Sequence, residues 1–179
     1  MTRKRKDLIK IIFILFITFM IGFLIGVLAK NVYENSTVKP YEWVSPPIIV
    51  NCYGPDFSEA KIIRSIHYWT VRGHDIGFYE HSPPETFCES KDWYYGFIVI
   101  RKAKLFQLSP DTLASTRRYT SLNVIKGVEI YYRPRSQDLY LINEHELGHA
   151  LGFVHVEQEG HVMHPLFHKM GEGFWIPVN

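Results

Sequence analysis

Three histidines and one glutamate stand at a spacing that could bind and use a metal ion. His145 and His149 are four residues apart, so on an α-helix they lie on one face, one turn from each other. Glu146 follows the first histidine, where its carboxylate could reach a water molecule on the same ion. Gly152 lies where the helix would have to end, because glycine tolerates the positive φ of a sharp reversal. That reversal would return His155 to the ion.

The donor set favours zinc. Three neutral imidazoles at about 2.0–2.1 Å, with water in the fourth position, make an open tetrahedral site of the catalytic type. Zinc would lower the pKa of that water, and Glu146 would take its proton as general base. We therefore predict one catalytic Zn²⁺ bound by His145, His149 and His155, with Glu146 as the catalytic residue.

The elements that must position this site are short strands and amphipathic helices. Apolar residues recur every three to four positions from Phe57 to Trp69, which predicts a helix capped by Ser58 or Asp56 and ended near Gly73. Runs rich in β-branched and aromatic residues predict five strands, at 48–50, 76–79, 97–100, 113–116 and 128–132. Strands and helices are mixed rather than strictly alternating, which favours an α+β fold.

His145, Glu146 and His149 form an HExxH motif, and the helix that carries this motif is expected to begin upstream of His145. Apolar residues at Leu139, Leu141 and Ile142 could support this helix, and Ser136 or Asp138 is the predicted cap. The folded domain would then span residues 48–179.

The first thirty residues carry a membrane signal. Basic residues precede a run from Ile11 to Ala29 that contains no charge, and nineteen residues on a helix span roughly 28 Å, close to the hydrocarbon core of a bilayer. The basic flank would stay in the cytoplasm and the rest of the chain outside it. The alternative is a signal peptide cleaved after Ala29, which would make the protein secreted. Residues 31–47 are polar and proline-rich, and are predicted to form a stalk.

Charge is divided unequally between this head and the remaining chain. Residues 1–30 carry six Lys/Arg and one acid, whereas the other residues carry fourteen Lys/Arg and seventeen Asp/Glu, or −3. A nucleic-acid-binding protein needs its positive charge on the folded surface, so we expect no nucleic acid partner.

Cys52 and Cys88 are the only cysteines. Outside the cytoplasm they could pair, and two buried thiols are the alternative.

The complete motif resembles a known family. HExxHxxGxxH, followed by a methionine turn at Met163, is the signature of the metzincins, and the Met-x-Pro-Leu-aromatic run is most similar to the matrixin branch, the relatives of the matrix metalloproteinases. The resemblance implies a zincin-like fold, with a mixed twisted sheet packed on helices, an active-site helix and a small C-terminal part. It also implies that Met163 forms the hydrophobic floor beneath the zinc.

The resemblance further implies where substrate would lie. Pro165, Leu166 and Phe167 would form the wall of the pocket beside the scissile bond. Residues 113–116, beginning with Leu113 and Ala114, would form the edge strand along which a peptide substrate extends; an ordinary edge strand without this role is the alternative.

Some positions depart from the family pattern. Val156 stands where matrixins usually have serine, and His164 where they have tyrosine. His74, Asp75 and His81 lack the fuller pattern of a second zinc site and are expected to be loop residues. Only twelve residues follow Phe167, including Gly171, Gly173 and Pro177, so no regular C-terminal helix is expected.

The functional prediction is a zinc-dependent endopeptidase that acts on protein or peptide substrates outside the cytoplasm. It would be tethered to a membrane through its N-terminal helix. The alternative is a membrane-tethered, zinc-containing binding module without peptidase activity.

Overall fold

The computed structural model describes residues 13, 15–26, 39–90 and 95–174. The described residues fall into two compact units, with residues 13 and 15–26 in the N-terminal one and residues 39–90 and 95–174 in the larger one. In the N-terminal unit, residues 15–26 are helical and expose their apolar side chains. No helix in the described part of the chain is both long and apolar enough to cross a bilayer. The predicted span 11–29 is described only at residues 13 and 15–26. Residues 31–38 of the predicted stalk lie outside the described residues.

A six-stranded mixed sheet is the centre of the larger unit. It consists of β1 (Glu42–Trp43), β2 (Ile48–Cys52), β3 (Phe78–Glu80), β4 (Phe97–Lys102), β5 (Ala114–Ser121) and β6 (Val124–Tyr132). The strand order is β1-β6-β4-β2-β3, all parallel, and β5 pairs antiparallel with β6. Among the described residues β5 pairs with no other strand, so one of its edges is open.

Strands β5 and β6 form a hairpin with a two-residue turn. Leu122 and Asn123 have φ of 50° and 65°, the left-handed conformation that a two-residue turn needs to match the twist of its strands. The register pairs Ala114 with Tyr132 and Thr116 with Ile130. The hairpin therefore fixes the position of the open edge.

Three α-helices accompany the sheet: α1 (Glu59–Thr70), α2 (Glu85–Glu89) and α3 (Ile142–Ala150). Helices α1 and α3 pack against each other, and α3 also contacts β5 and β6. Trp69 of α1 lies at the centre of this packing, fully buried, with its ring stacked on Phe153 at 5.0 Å between centroids. Its indole Nε1 donates to the carbonyl oxygen of Glu144 in α3 at 2.8 Å, which links the two helices.

The predicted strands and the first predicted helix are close to the observed elements. The five predicted strands and the helix at 57–69 are present, although β5 and β6 are longer than expected. The predicted cap of the motif helix is wrong. Ser136–Asp138 form a separate 3-10 helix, and α3 begins only after Leu141, whose φ is 62°. The Ser136 hydroxyl donates instead to the carbonyl oxygens of Leu113 and Arg133, so it ties two loops together.

The folded unit begins earlier than the sequence predicted. Residues 39–47, predicted as stalk, belong to it, because Glu42 and Trp43 pair with Val124 and Ile125 as strand β1. The Trp43 indole also donates to the carbonyl oxygen of Ala150 at 2.9 Å. The domain boundary at residue 48 was therefore placed too late.

Cys52 and Cys88 form a disulfide. The bond joins the end of β2 to α2, across a sequence separation of 36 residues. Of the two possibilities left open by the sequence, pairing is the correct one.

Beyond α3, the described residues contain only a 3-10 helix, Phe167–Lys169. The short C-terminal part is otherwise loop up to residue 174, as the glycines in this stretch predicted.

Candidate active site

Helix α3 carries the HExxH motif, and the helix is almost entirely buried. Eight of its nine residues are buried, and His149 is the one that is partly exposed. His145 and Glu146 are 6% and 4% exposed. The motif side chains therefore lie in an interior environment, where each polar group needs a defined partner.

The reversal after α3 depends on Gly152. Its φ is +110°, and a Cβ atom there would lie 2.0 Å from the carbonyl oxygen of Tyr41. Both the turn and the close approach of the N-terminal strand region require glycine. The Phe153 amide donates to the carbonyl oxygen of Gly148, which closes the helix and directs the chain back toward His155. The predicted role of Gly152 agrees with this geometry.

The reversal brings the three predicted ligands together. One ligand atom each from His145, His149 and His155 lies within 4.8 Å of the others, and no other such group of three is found in the described part of the chain. The Nε2 atoms of His149 and His155 are 3.0 Å apart. Two nitrogens bound to one tetrahedral zinc at 2.0–2.1 Å would be about 3.3 Å apart, so these two rings are already close to the required separation.

Backbone carbonyls select the metal-binding tautomer of two of these rings. His145 Nδ1 lies 2.8 Å from the carbonyl oxygen of Val162, and His149 Nδ1 lies 2.9 Å from that of Phe153. A carbonyl oxygen can only accept, so each Nδ1 must carry the proton and each Nε2 keeps a lone pair. The lone pairs face the shared space between the rings, which fits a bound cation.

Burial keeps these imidazoles neutral. It lowers the pKa of His145 to about 4 and that of His149 to about 3, and it also lowers the pKa of His155. Because only the neutral ring can bind a metal ion, the three ligands are ready for zinc at neutral pH. The donor set, tautomers and protonation all fit the cofactor.

Met163 lies directly behind the motif. It is fully buried, and its Sδ would be 2.4 Å from a Cβ built on Gly148, so the thioether packs against the turn of α3 between the two histidines. Val156 donates its amide to the carbonyl oxygen of Met163, which ties the methionine turn to the third ligand's loop. Met163 therefore packs against the histidine-bearing helix, and its role as a hydrophobic floor stays a prediction.

The Glu146 carboxylate is buried beside the histidines. Burial raises its pKa to about 7, and a hydrogen bond from Thr116 works in the opposite direction. The Thr116 hydroxyl lies 2.6 Å from Glu146 Oε2. A carboxyl group whose pKa is close to 7 can both take up and release a proton at neutral pH.

A cavity of about 590 Å³ opens over the site between β5 and the methionine turn. All five residues predicted for the substrate pocket line it, together with the motif histidines and glutamate: Leu113, Ala114, Pro165, Leu166 and Phe167.

Among the further residues of the same cavity, sequence reasoning placed Thr116 only on the edge strand and did not identify Arg118. Arg118 donates to the carbonyl oxygens of His149 and Phe153, at 2.8 and 3.2 Å. It therefore supports the backbone that orients His149. Residues two apart on a strand share a face, so the alternation from Ala114 through Thr116 to Arg118 was the signal that could have identified them.

The remaining polar residues singled out in the sequence lie elsewhere. His74 packs on Trp69 and Phe153, and His81 Nδ1 is 2.7 Å from the Tyr79 hydroxyl. They form no second metal group in the described part of the chain. His164, where the family has tyrosine, is buried and accepts the Leu166 amide at Nδ1, so it shapes the methionine turn.

The mixed sheet, the buried HExxH helix and the three-histidine group define a zincin-like domain. Comparison with protein families confirms the class. The family model Peptidase_M10, described as Matrixin, matches residues 59–177, which is more than half of the chain. The chain therefore belongs to the matrixin family of zinc metallopeptidases. A comparison with curated proteins found no matching relative.

Proposed function

We propose that this matrixin is a zinc-dependent endopeptidase with Glu146 as its general base. The observation that carries the proposal is a buried carboxylate next to three neutral histidines, at the bottom of a cavity that is open along a strand edge. A site kept only for structure would not need a buried carboxylate, because burying such a group costs free energy.

The chain's own residues have separate tasks in this reaction. When bound, zinc supplies a Lewis acid that polarises the scissile carbonyl and acidifies water. Glu146 accepts a proton from the attacking water and delivers it to the leaving amine. His145, His149 and His155 hold the ion and set its position. Their Nδ1 contacts with backbone carbonyls limit how far two of these rings can turn.

The open edge of β5 suits an extended peptide. Its unpaired backbone groups can form a ladder with a substrate strand, which supplies affinity without regard to sequence. Pro165, Leu166 and Phe167 face the same cavity, and Leu166 and Phe167 are 48% and 37% exposed. We propose that they form the wall of an apolar side-chain pocket beside the scissile bond, with Leu113 and Ala114 on the opposite side.

We also propose that the catalytic domain works outside the cytoplasm, attached to a membrane by its N-terminal segment. The support is the uncharged run from Ile11 to Ala29 behind a basic head, and the exposed apolar side chains of helical residues 15–26. The disulfide between Cys52 and Cys88 suits an oxidising compartment. Protein and peptide substrates are the proposed partners. The net charge of −3 on residues 31–179 argues against a nucleic acid partner.

The proposal is tested by digesting a complex peptide mixture with the zinc-loaded full chain in detergent and reading the products by mass spectrometry. The matched control is the Glu146→Ala variant, with zinc content measured in both proteins. We expect cuts from the wild type only, with equal zinc in both. Zinc-loaded, folded wild type that makes no cut would instead support the alternative, a tethered binding module that retains the metal for structure.

A further inference from the structure

The Thr116 side chain makes a contact with the general base that the reaction outlined above does not use. Its Oγ1 lies 2.6 Å from Glu146 Oε2 and 3.1 Å from the carbonyl oxygen of Glu146. A hydrogen bond to an ionised carboxylate is shorter and stronger than one between neutral groups, and this distance is in that range. The contact crosses from the open-edge strand β5 to helix α3.

We propose that Thr116 is a positioning residue for catalysis, which holds the Glu146 carboxylate in its reactive orientation. This inference rests on the proposed peptidase function, because it assigns a task to Thr116 only through Glu146. The hydroxyl engages Oε2, which leaves Oε1 as the oxygen that takes the proton from water in this proposal.

Within the part of the chain that the structure describes, Thr116 is the side chain seen to donate to this carboxylate. Glu146 is 4% exposed, so water offers little alternative hydrogen bonding. Without this hydrogen bond, a long, flexible side chain that lines a cavity could adopt several rotamers, each of which places the carboxylate differently. A single hydrogen bond from a strand pinned on β6, where Thr116 faces Ile130, restricts that freedom.

The position of Thr116 also links the base to the strand along which substrate would lie. Ala114, Thr116 and Arg118 alternate along β5 and all three line the cavity. Thr116 reaches Glu146, and Arg118 reaches the carbonyl oxygen of His149. These two contacts therefore fix the position of strand β5 relative to helix α3. One reaches the base, and the other reaches the backbone of a metal ligand.

The first test compares three full-chain variants in steady-state peptide cleavage. Thr116→Val removes the hydroxyl and keeps the branched shape, and Thr116→Ser keeps the hydroxyl. Thr120→Val makes the same change on an exposed part of β5 that does not line the cavity. We expect Thr116→Val to lower kcat about 10- to 100-fold with KM changed less than about threefold, since its loss affects proton transfer rather than binding.

Thr116→Ser should recover kcat to within about threefold of wild type, and Thr120→Val should behave like wild type. Zinc content and the thermal unfolding midpoint, measured on the same samples, show that the site is intact. A Thr116→Val enzyme with wild-type kcat would overturn the inference and leave the peptidase proposal standing, because the wild type would still cleave.

A second readout does not depend on turnover. Acetohydroxamate loses its hydroxyl proton when it chelates a metal ion, and Glu146 is the group placed to receive that proton. We expect Thr116→Val to weaken acetohydroxamate binding to the zinc-loaded chain about tenfold, and to have no effect in a Glu146→Ala background. If the wild type cuts no peptide, the peptidase proposal fails, while this cycle still tests the positioning role. Equal affinity of wild type and Thr116→Val would contradict it.

Discussion

Helices α1 and α3 pack against each other but differ in their exposure to water. On α1 the buried residues are Ile62, Ser65 and Trp69, and most of its other side chains reach solvent. On α3 nearly every residue is buried, including Glu144, His145 and Glu146. A helix with one solvent-exposed face can be stabilised by burial of the apolar side chains on its other face. A buried helix with polar side chains needs a partner for each of them, and in α3 those partners are what build the site.

The largest difference should appear when one histidine of each helix is removed. His149→Ala should weaken zinc binding at least about 100-fold and abolish peptide cleavage, because one of the three histidines that hold the ion is lost. His67→Ala, on the exposed face of α1, should leave both unchanged. Zinc affinity by competition with a chelator and peptide turnover check both variants. A His149→Ala protein that still binds zinc at wild-type affinity would remove this histidine from the ligand set.

The pH dependence of stability should show the cost of the buried base. The folded-state pKa of Glu146 is about 7, raised by burial from its ordinary value of 4.5. The neutral form is the more stable one inside the protein, so stability is complete below about pH 4.5 and is lost as pH rises through 7. Glu146→Gln should thus stabilise the zinc-free domain by about 2–3 kcal/mol at pH 8, and little at pH 4.5.

Urea unfolding of the EDTA-treated proteins at the two pH values measures this difference. If the gain from Glu146→Gln were the same at pH 4.5 and pH 8, the carboxylate would not be destabilised by burial as described.

A single added methyl group should separate a packed helix face from an open one. A Cβ on Gly148 would lie 2.4 Å from Met163 Sδ and 2.5 Å from Cζ2 of the Trp69 ring. Although alanine favours helix more than glycine does, overpacking should dominate, and we expect Gly148→Ala to cost about 1–3 kcal/mol. Gly26→Ala is the control, since a Cβ there meets no atom within 4 Å. Denaturant unfolding of the domain should show no loss for the control.

The smallest effects concern two ion pairs that start from α1. Arg64 Nε lies 2.9 Å from Glu144 Oε1, whose side chain is 2% exposed, whereas the Lys61–Asp138 pair is 34% and 53% exposed. Removing Arg64 leaves a buried charge without its partner, so Arg64→Ala should cost about 1–2 kcal/mol. Lys61→Ala should cost less than about 0.5 kcal/mol. Similar losses in chemical denaturation for both variants would contradict this account of α3.

The same difference between the helices explains what could be predicted from the sequence. The period of Ile62, Ile66 and Trp69 identified α1 because only one of its faces is buried. Helix α3 has no such period, so its start was misplaced by several residues, and only the metal-binding motif revealed it. The ligands and the base were predictable because their spacing is local, within eleven residues from His145 to His155.

Long-range contacts could not be predicted in this way. Strand β1 is two residues long and pairs with Val124 and Ile125, 82 positions away, so its segment was predicted to be a stalk. Thr116 reaches Glu146 across 30 residues. The alternation that places Thr116 on the face of Ala114 and Arg118 applies equally to Thr120, whose side chain is exposed. Tertiary structure alone assigns them different surroundings.

The most direct test of the central claim measures zinc affinity and peptide kcat/KM of wild type and Glu146→Gln side by side. The account separates metal ligands from proton carrier. It therefore predicts unchanged zinc affinity and a fall in kcat/KM of about 10²–10⁴-fold in the variant. A Glu146→Gln protein that cleaves peptide as fast as wild type, with zinc bound, would show that another group moves the proton.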